Sequence, residues 1–176
     1  MPKIIENVRE MLIDEAKRQL EENGYSAVTV RSIAGACGLG TGTFYNYFRS
    51  KDILIATVML EDWNTCIDAV AACAQSEPSP DSLLRCIYDE LCGYTDRHAA
   101  LFADPQAKKV FSGEISRYHG QLRAQLALQL EKLCAAKKCE NASFLAEFIA
   151  EAMLTWTLAG RSYDDISGII IKLFDK

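Results

Sequence analysis

Histidine is nearly absent from this chain, with only His98 and His119 among 176 residues. Neither stands at zinc-finger spacing from any of the seven cysteines, and no Cys-x-x-Cys pair occurs. No metal site and no cofactor are therefore expected, and a Cys–His nucleophile would need a chance assembly. Gly-x-Ser-x-Gly, a phosphate loop, a dinucleotide fingerprint and His-Glu-x-x-His are all missing, so the chain does not read as an enzyme. No apolar run is long enough to span a membrane. Arg9, Glu10, Asp14 and Glu15 interrupt any signal-peptide core, so a cytoplasmic location with no membrane partner is expected. Excess positive charge is lacking too: the formal net charge is -5 and the sequence pI about 5.1.

Strand-like alternation is absent throughout, and apolar residues recur at helical spacing almost everywhere, which predicts an all-α fold of about nine helices. A first helix is expected from about Pro2 to Asn23, with Ile5, Val8, Leu12, Ala16 and Leu20 facing inward and Gly24 closing it. Two short helices follow. A long one runs from Lys51 to about Gln75, where Ser76-Glu77-Pro78-Ser79-Pro80 breaks it. Ser79-Pro80-Asp81 starts the next, to about Thr95. A short segment around His98–Ala103 ends at the Asp104-Pro105 corner. From about Gln106 to Lys137, Val110, Ile115, Leu122, Leu126, Leu130 and Leu133 mark a long amphipathic stretch, with an interruption allowed near Ser112-Gly113. Asn141 to Leu158 and a last helix opened by Ser162-Tyr163-Asp164-Asp165 complete the chain.

The informative stretch is Thr29 to Lys51. Val30, Ile33, Ala34 and Cys37 give the first short helix one apolar face, and Thr29 is placed to cap it. Gly38 suits a left-handed turn and Leu39 returns to the core. Phe44 and Phe48, one turn apart, anchor the second helix. Its other face holds Thr41, Thr43, Tyr45, Asn46 and Tyr47, whose hydroxyls and amide can reach base edges or phosphates. This is the layout of a DNA-reading helix-turn-helix. The stretch contains Arg31, Arg49 and Lys51 and no acid, a modest positive face on a negative body. DNA binding by such a face should be salt-sensitive. The competing reading of each polar residue is solvated surface.

The order Thr29-Val30-Arg31-x-Ile33-Ala34-x-x-x-Gly38, then Gly42-Thr43-Phe44-Tyr45-x-Tyr47-Phe48-x-Ser50-Lys51, resembles the amino-terminal signature of the TetR family of bacterial transcriptional regulators. The likeness runs without a gap from Gly24-Tyr25 to Asp52-Ile53-Leu54. It implies a three-helix DNA-binding domain over residues 1–50 and a helical effector-binding and dimerisation domain over residues 51–176. The function it implies is a ligand-responsive repressor that binds a palindromic double-stranded DNA operator as a homodimer and is released by a small-molecule effector. Carried over by position, Thr29 and Arg31 point at phosphate and base, and Arg31 is the choice for a guanine contact. Thr41, Gly42 and Thr43 begin the recognition helix, Tyr45, Asn46 and Tyr47 touch phosphates and thymine methyls, and Lys51 grips the backbone. Gly40-Thr41-Gly42 departs from the pattern in being light in side chains, which leaves the operator underived.

Two further sets of residues follow. The broad apolar stripes of the last two helices, with Phe144, Phe148, Ile149, Ala152, Met153, Trp156, Ile166, Ile169, Ile170 and Leu173, suit either a monomer core or a second copy. The resemblance selects the dimer. Trp63, Ile67, Tyr88, Phe102, Phe111, Tyr118, His119 and Trp156 are candidates to line an effector pocket, with ordinary core packing as the alternative. Cys66 and Cys73 share a helix face. Reduced cysteines used as small core residues are the plain reading of all seven, and a thiol-based redox or metal sensor on the same fold is the rival. A helical dimeric interaction module that does not bind DNA is the other alternative.

Overall fold

The computed structural model describes residues 6–76 and 79–174, without the side chains of residues 112–118. Among the described residues there are nine α-helices, one 3₁₀ turn and no strand. They are α1 (Val8–Asn23), α2 (Val30–Ala36), α3 (Thr41–Tyr47), α4 (Lys51–Gln75), α5 (Pro80–Arg97), α6 (Ala99–Ala103), α7 (Pro105–Ala136), α8 (Ala142–Leu158) and α9 (Tyr163–Ile170), followed by the turn Ile171–Leu173. Contacts divide the chain into two compact units: Met1–Asp62 with Arg97–Ser112, and Trp63–Asp96 with Gly113–Lys176.

The first unit contains α1–α3, the first half of α4, α6 and the start of α7. α1 begins at Val8, later than the expected Pro2, and Ile5 lies outside the described residues. Val8, Leu12, Ala16 and Leu20 are buried as the period predicts, and Ile13 joins them. Gly24 ends the helix at φ 72°, a conformation that disfavours a side chain. The core joins Leu12, Ile33, Phe44, Phe48, Leu54, Ile55 and Val58 to Leu101 and Phe111. Burial of a ring such as Phe44 stabilises the unit by roughly 1.5–3 kcal/mol. Arg9–Glu61 (3.2 Å) and Lys17–Asp62 (2.8 Å) tie α1 to α4. Asp104 Oδ1 accepts from the Gln106 and Ala107 amides at the start of α7, while Oδ2 accepts from the Ser26 amide and hydroxyl. These donors hold the Asp104 carboxyl below its ordinary range, the Ser26 hydroxyl foremost.

The second unit packs the rest of α4 and α7 with α5, α8 and α9. Trp63, Cys66, Val70, Leu83, Leu84, Ile87, Leu91, Leu126, Leu130, Ile149 and Met153 are buried. The buried Trp63 indole donates to Gln125 Oε1 at 2.6 Å and meets the Tyr94 ring edge-on. Ser162 caps α9, accepting from the Asp165 amide at 3.2 Å. Tyr163 follows it inward, and its hydroxyl reaches the Asp81 carbonyl oxygen (2.8 Å) and Oδ1 (2.7 Å). The backbone of α7 is helical throughout, so the interruption allowed near Ser112-Gly113 does not occur. Val110, expected on its inward face, is 45% exposed, and Ile115 lies outside the residues with described side chains.

Candidate nucleic-acid interface

Two short helices need strong local determinants, because seven residues make few internal hydrogen bonds. At the start of α2, Thr29 Oγ1 accepts from the Ser32 amide and Ser32 Oγ accepts from the Thr29 amide, both at 3.0 Å. This reciprocal box satisfies two amides that the helix itself leaves open. At its end Gly38 takes φ 68°, and the Gly38 and Leu39 amides bond back to Gly35 and Ala34 carbonyls at 3.0 and 2.8 Å. Leu39 then packs on the core and sets the direction in which α3 leaves the turn.

α3 is held by two rings. Phe44 is fully buried and Phe48 nearly so, with centroids 6.0 Å apart. Helical geometry then forces the intervening residues outward. Tyr45 is 56% exposed and Tyr47 48% exposed, Thr41, Gly42 and Asn46 are exposed, and Thr43 is half-buried. Thr29 and Arg31 are exposed at the beginning of α2. Eight of the nine residues expected to contact DNA thus lie on α2, its cap and α3. A Cβ built on Gly42 would meet nothing within 4 Å, so packing inside the protein does not require glycine there. Gly40, at the N-cap of α3, supplies no side-chain acceptor.

Lys51 differs from the other eight. Its ammonium donates to the Tyr25 carbonyl oxygen at 3.0 Å and lies 3.9 Å from the centroid of the Tyr25 ring. The Tyr25 hydroxyl in turn donates to Asp52. Burial first, and the Asp52 carboxylate after it, hold that phenol protonated well above its usual range. Lys51 is therefore a strap between the α1–α2 loop and α4, whatever else it contacts. Arg49, two residues before it, is exposed. Its signal in sequence is a cation in an acid-free stretch.

The expected effector residues are divided between the two units. Trp63 is core, Ile67 and Tyr88 are half-buried, and the Tyr88 hydroxyl donates to the Arg161 carbonyl at 3.0 Å. Phe102 and Phe111 belong to the first unit, where Phe111 meets Tyr25 edge-on. His119 pairs with Glu151 at 3.1 Å, an arrangement suited to a surface ion pair. The side chain of Tyr118 lies outside those described. Trp156 is 48% exposed and lines an open groove of about 370 Å³ with Phe148, Ala152, Arg161, Ile166, Ile169 and Ile170. Of the residues assigned to a dimer surface, Ile149 and Met153 are fully buried in the unit's own core, and Ile166 and Ile170 are buried as well. Phe144, Phe148, Trp156 and Ile169 are exposed, and Ala152 and Leu173 are half-buried. No described helix is long and apolar enough to cross a membrane.

Comparison with known proteins agrees with this geometry. Residues 12–58, from within α1 to α4, match the bacterial regulatory proteins of the tetR family. A transcriptional repressor of Mycobacterium tuberculosis is 36% identical over 66 residues, 35% of each chain, so the match spans about a third of that relative. The transcriptional regulator BetI of Burkholderia cenocepacia is 29% identical over 180 residues, 93% of this chain and 90% of BetI. Among solved structures, a transcriptional regulator from Cytophaga hutchinsonii superposes with a TM-score of 0.67 at 18% identity, covering 94% of each chain. The TetR family repressor AlkX from Dietzia, implicated in biodegradation of n-alkanes, gives 0.64 at 19% identity over 93% of each. The helix-turn-helix, intact from its capping box to its buried phenylalanines, thus lies in a segment, residues 12–58, that matches the bacterial regulatory proteins of the tetR family.

Proposed function

We propose that this chain is a ligand-responsive transcriptional repressor that binds a palindromic operator as a homodimer and is released by a small-molecule effector. The observation that carries the reading is the face of α3, where Tyr45, Asn46 and Tyr47 are turned outward by buried Phe44 and Phe48. Tyrosine and asparagine positioned there reach phosphates, thymine methyls and adenine edges, and Arg31 from α2 suits guanine. Gly42 allows a close approach of backbone to the major groove. Residues 1–50 act as the DNA-reading part, and residues 51–176 as the part that receives the effector and pairs two copies. The exposed apolar row Phe144, Phe148, Trp156 and Ile169 is the surface assigned to the second copy. Pairing two recognition helices turns weak single contacts into a cooperative grip on successive major grooves.

The test is a mobility shift with the purified chain on DNA upstream of its own gene. A shift that survives excess random DNA and weakens with salt is expected. Tyr45→Ala, at a 56% exposed position, should lower affinity at least about 10-fold, in line with the loss of one good contact. Unchanged affinity in Tyr45→Ala would remove the assigned surface, and absence of any specific shift would remove the repressor reading. Lys51→Ala is the poorer probe, because it also cuts the strap to Tyr25.

A further inference from the structure

Three helices of this chain end in the same way. After α2, α7 and α8 a residue takes a positive φ: Gly38 at 68°, Lys138 at 55° and Gly160 at 73°. Its amide bonds back three residues, and the amide after it bonds back five. The longer bonds run from Leu39 to the Ala34 carbonyl oxygen at 2.8 Å, from Cys139 to Cys134 at 3.0 Å and from Arg161 to Trp156 at 3.0 Å. Such a cap folds the chain back so that the side chains at the two ends of the longer bond meet. In α2, Ala34 is buried in the core on which Leu39 packs, and in α8 the Arg161 guanidinium lies 5.9 Å from the centroid of the Trp156 ring. In α7 the two residues that the cap brings together are both cysteines, and both are thiols. We propose that Cys134 and Cys139 are a site of oxidative modification, which a hydroperoxide joins into an intramolecular disulfide across the end of α7.

The backbone supplies the geometry. The 3.0 Å bond from the Cys139 amide to the Cys134 carbonyl oxygen, with standard covalent lengths on either side, keeps the two Cα atoms within about 7 Å. Any bend along that path shortens the distance into the range of about 4.4–6.8 Å that a disulfide bridges, so closure asks only for side-chain rotation. A shared helix face is not enough by comparison. Cys66 and Cys73, seven residues apart in α4, are separated by about 10 Å of rigid helix, too far for a bridge.

Access divides the roles of the two thiols. Cys139 is partly exposed, whereas Cys134 is fully buried. Burial first, then Cys139 and the Glu131 carboxylate, push the Cys134 thiol up to about 11, which holds it protonated. Cys139 is therefore the sulfur that meets the peroxide. With hydrogen peroxide, its thiolate attacks one oxygen, the O–O bond breaks, and the departing hydroxide takes up a proton and leaves as water, giving a sulfenic acid. Cys134 Sγ then attacks Cys139 Sγ. The S–O bond breaks, and the Cys134 proton goes to the departing hydroxide, which leaves as a second water. The two sulfurs lose two electrons in all and the peroxide gains them. The bond ties the last turn of α7 to a residue two before Asn141, the N-cap of α8, and so fixes the corner between these helices. Reduction by a low-molecular-weight thiol restores the pair.

The experiment is chemical and does not depend on operator binding. The reduced full chain is treated with one equivalent of hydrogen peroxide and then unfolded in guanidinium chloride containing N-ethylmaleimide, which blocks the remaining thiols. Tryptic peptides are read by mass spectrometry without reduction. Peptide 133–137 linked to peptide 139–161, two hydrogens lighter than their sum, is expected, and dithiothreitol should separate the two. Each of these peptides carries a single cysteine, so the mass alone assigns the bond. In Cys134→Ser the sulfenic acid loses its resolving thiol, and dimedone should label Cys139. The parent chain carries the test whether or not that variant folds. Blocking of both thiols after peroxide, a bond from either of them to a different cysteine, or a link found only in a covalent dimer on a non-reducing gel would overturn the proposal.

Discussion

Thr29 serves the protein in two ways that can be measured apart. Its side chain closes the capping box of α2, and its position at the start of that helix places it on the face assigned to DNA. Thr29→Ala should lower stability by about 1 kcal/mol, read as a shift in urea midpoint, and Thr29→Ser should restore most of it because the acceptor oxygen returns. Equal midpoints for the alanine and parent proteins would mean the box contributes nothing. His98 is a second case. It is only 4% exposed, and Nε2 stands 3.1 Å from Asp62 Oδ2. Desolvation pulls its pKa below the ordinary value and outweighs the Asp62 carboxylate, with Arg97 and Lys17 adding to the downward push. A histidine with a depressed folded-state pKa is stabilising while neutral. That contribution is present above the unfolded-state value of about 6.5 and is lost as pH falls through the folded-state value. Thermal melts should therefore show stability falling on acidification below about pH 6.5, with a shallower fall in His98→Gln. Parallel profiles would contradict the assignment. The cap at Thr29 was legible from its place before an apolar run. The double role of Lys51 was not, because its partner is a backbone oxygen 26 residues away, which only folding brings near.

At the scale of elements, α8 and α9 show why a broad apolar stripe is ambiguous. Helical spacing identified Phe144, Phe148, Ile149, Met153 and Trp156 as one greasy surface, but a helix packed on neighbours along one side buries only part of so wide a stripe. Ile149 and Met153 face the core, while Phe148 is 52% exposed and Ile169 69% exposed. Phe148→Glu combined with Ile169→Glu should leave the helical content intact and convert a dimer to a monomer in sedimentation, since charge on both copies would be buried without a partner. A dimer of unchanged mass would place the pairing surface elsewhere. The boundaries of α4, α5 and α7 were readable from prolines and caps. The start of α1 and the unbroken course of α7 were not, because helical spacing marks a buried face more clearly than it marks where a backbone begins or whether it pauses.

For the molecule as a whole, charge decides the conditions under which DNA can be held. The chain is net negative by five, and the acid-free stretch from Thr29 to Lys51 contributes only three cations. Counting about 0.9 per neutralised phosphate, a dimer using all of them would give a slope of log K against log salt of about −5, and Lys51's engagement with Tyr25 makes it shallower. A titration of the shift from low to moderate salt checks this, and a slope near zero would mean that phosphate contact is not the source of affinity. What the amino-acid order determined by itself was local: the helical class, the glycine turn at Gly38, the anchors Phe44 and Phe48 and the outward polar face of α3, all of which depend on neighbours within a few residues. Only the tertiary structure decided which half of the α8–α9 stripe is core and that Lys51 is a strap. Each of these is a contact between segments far apart in the chain, and periodicity along one helix carries no information about what faces it.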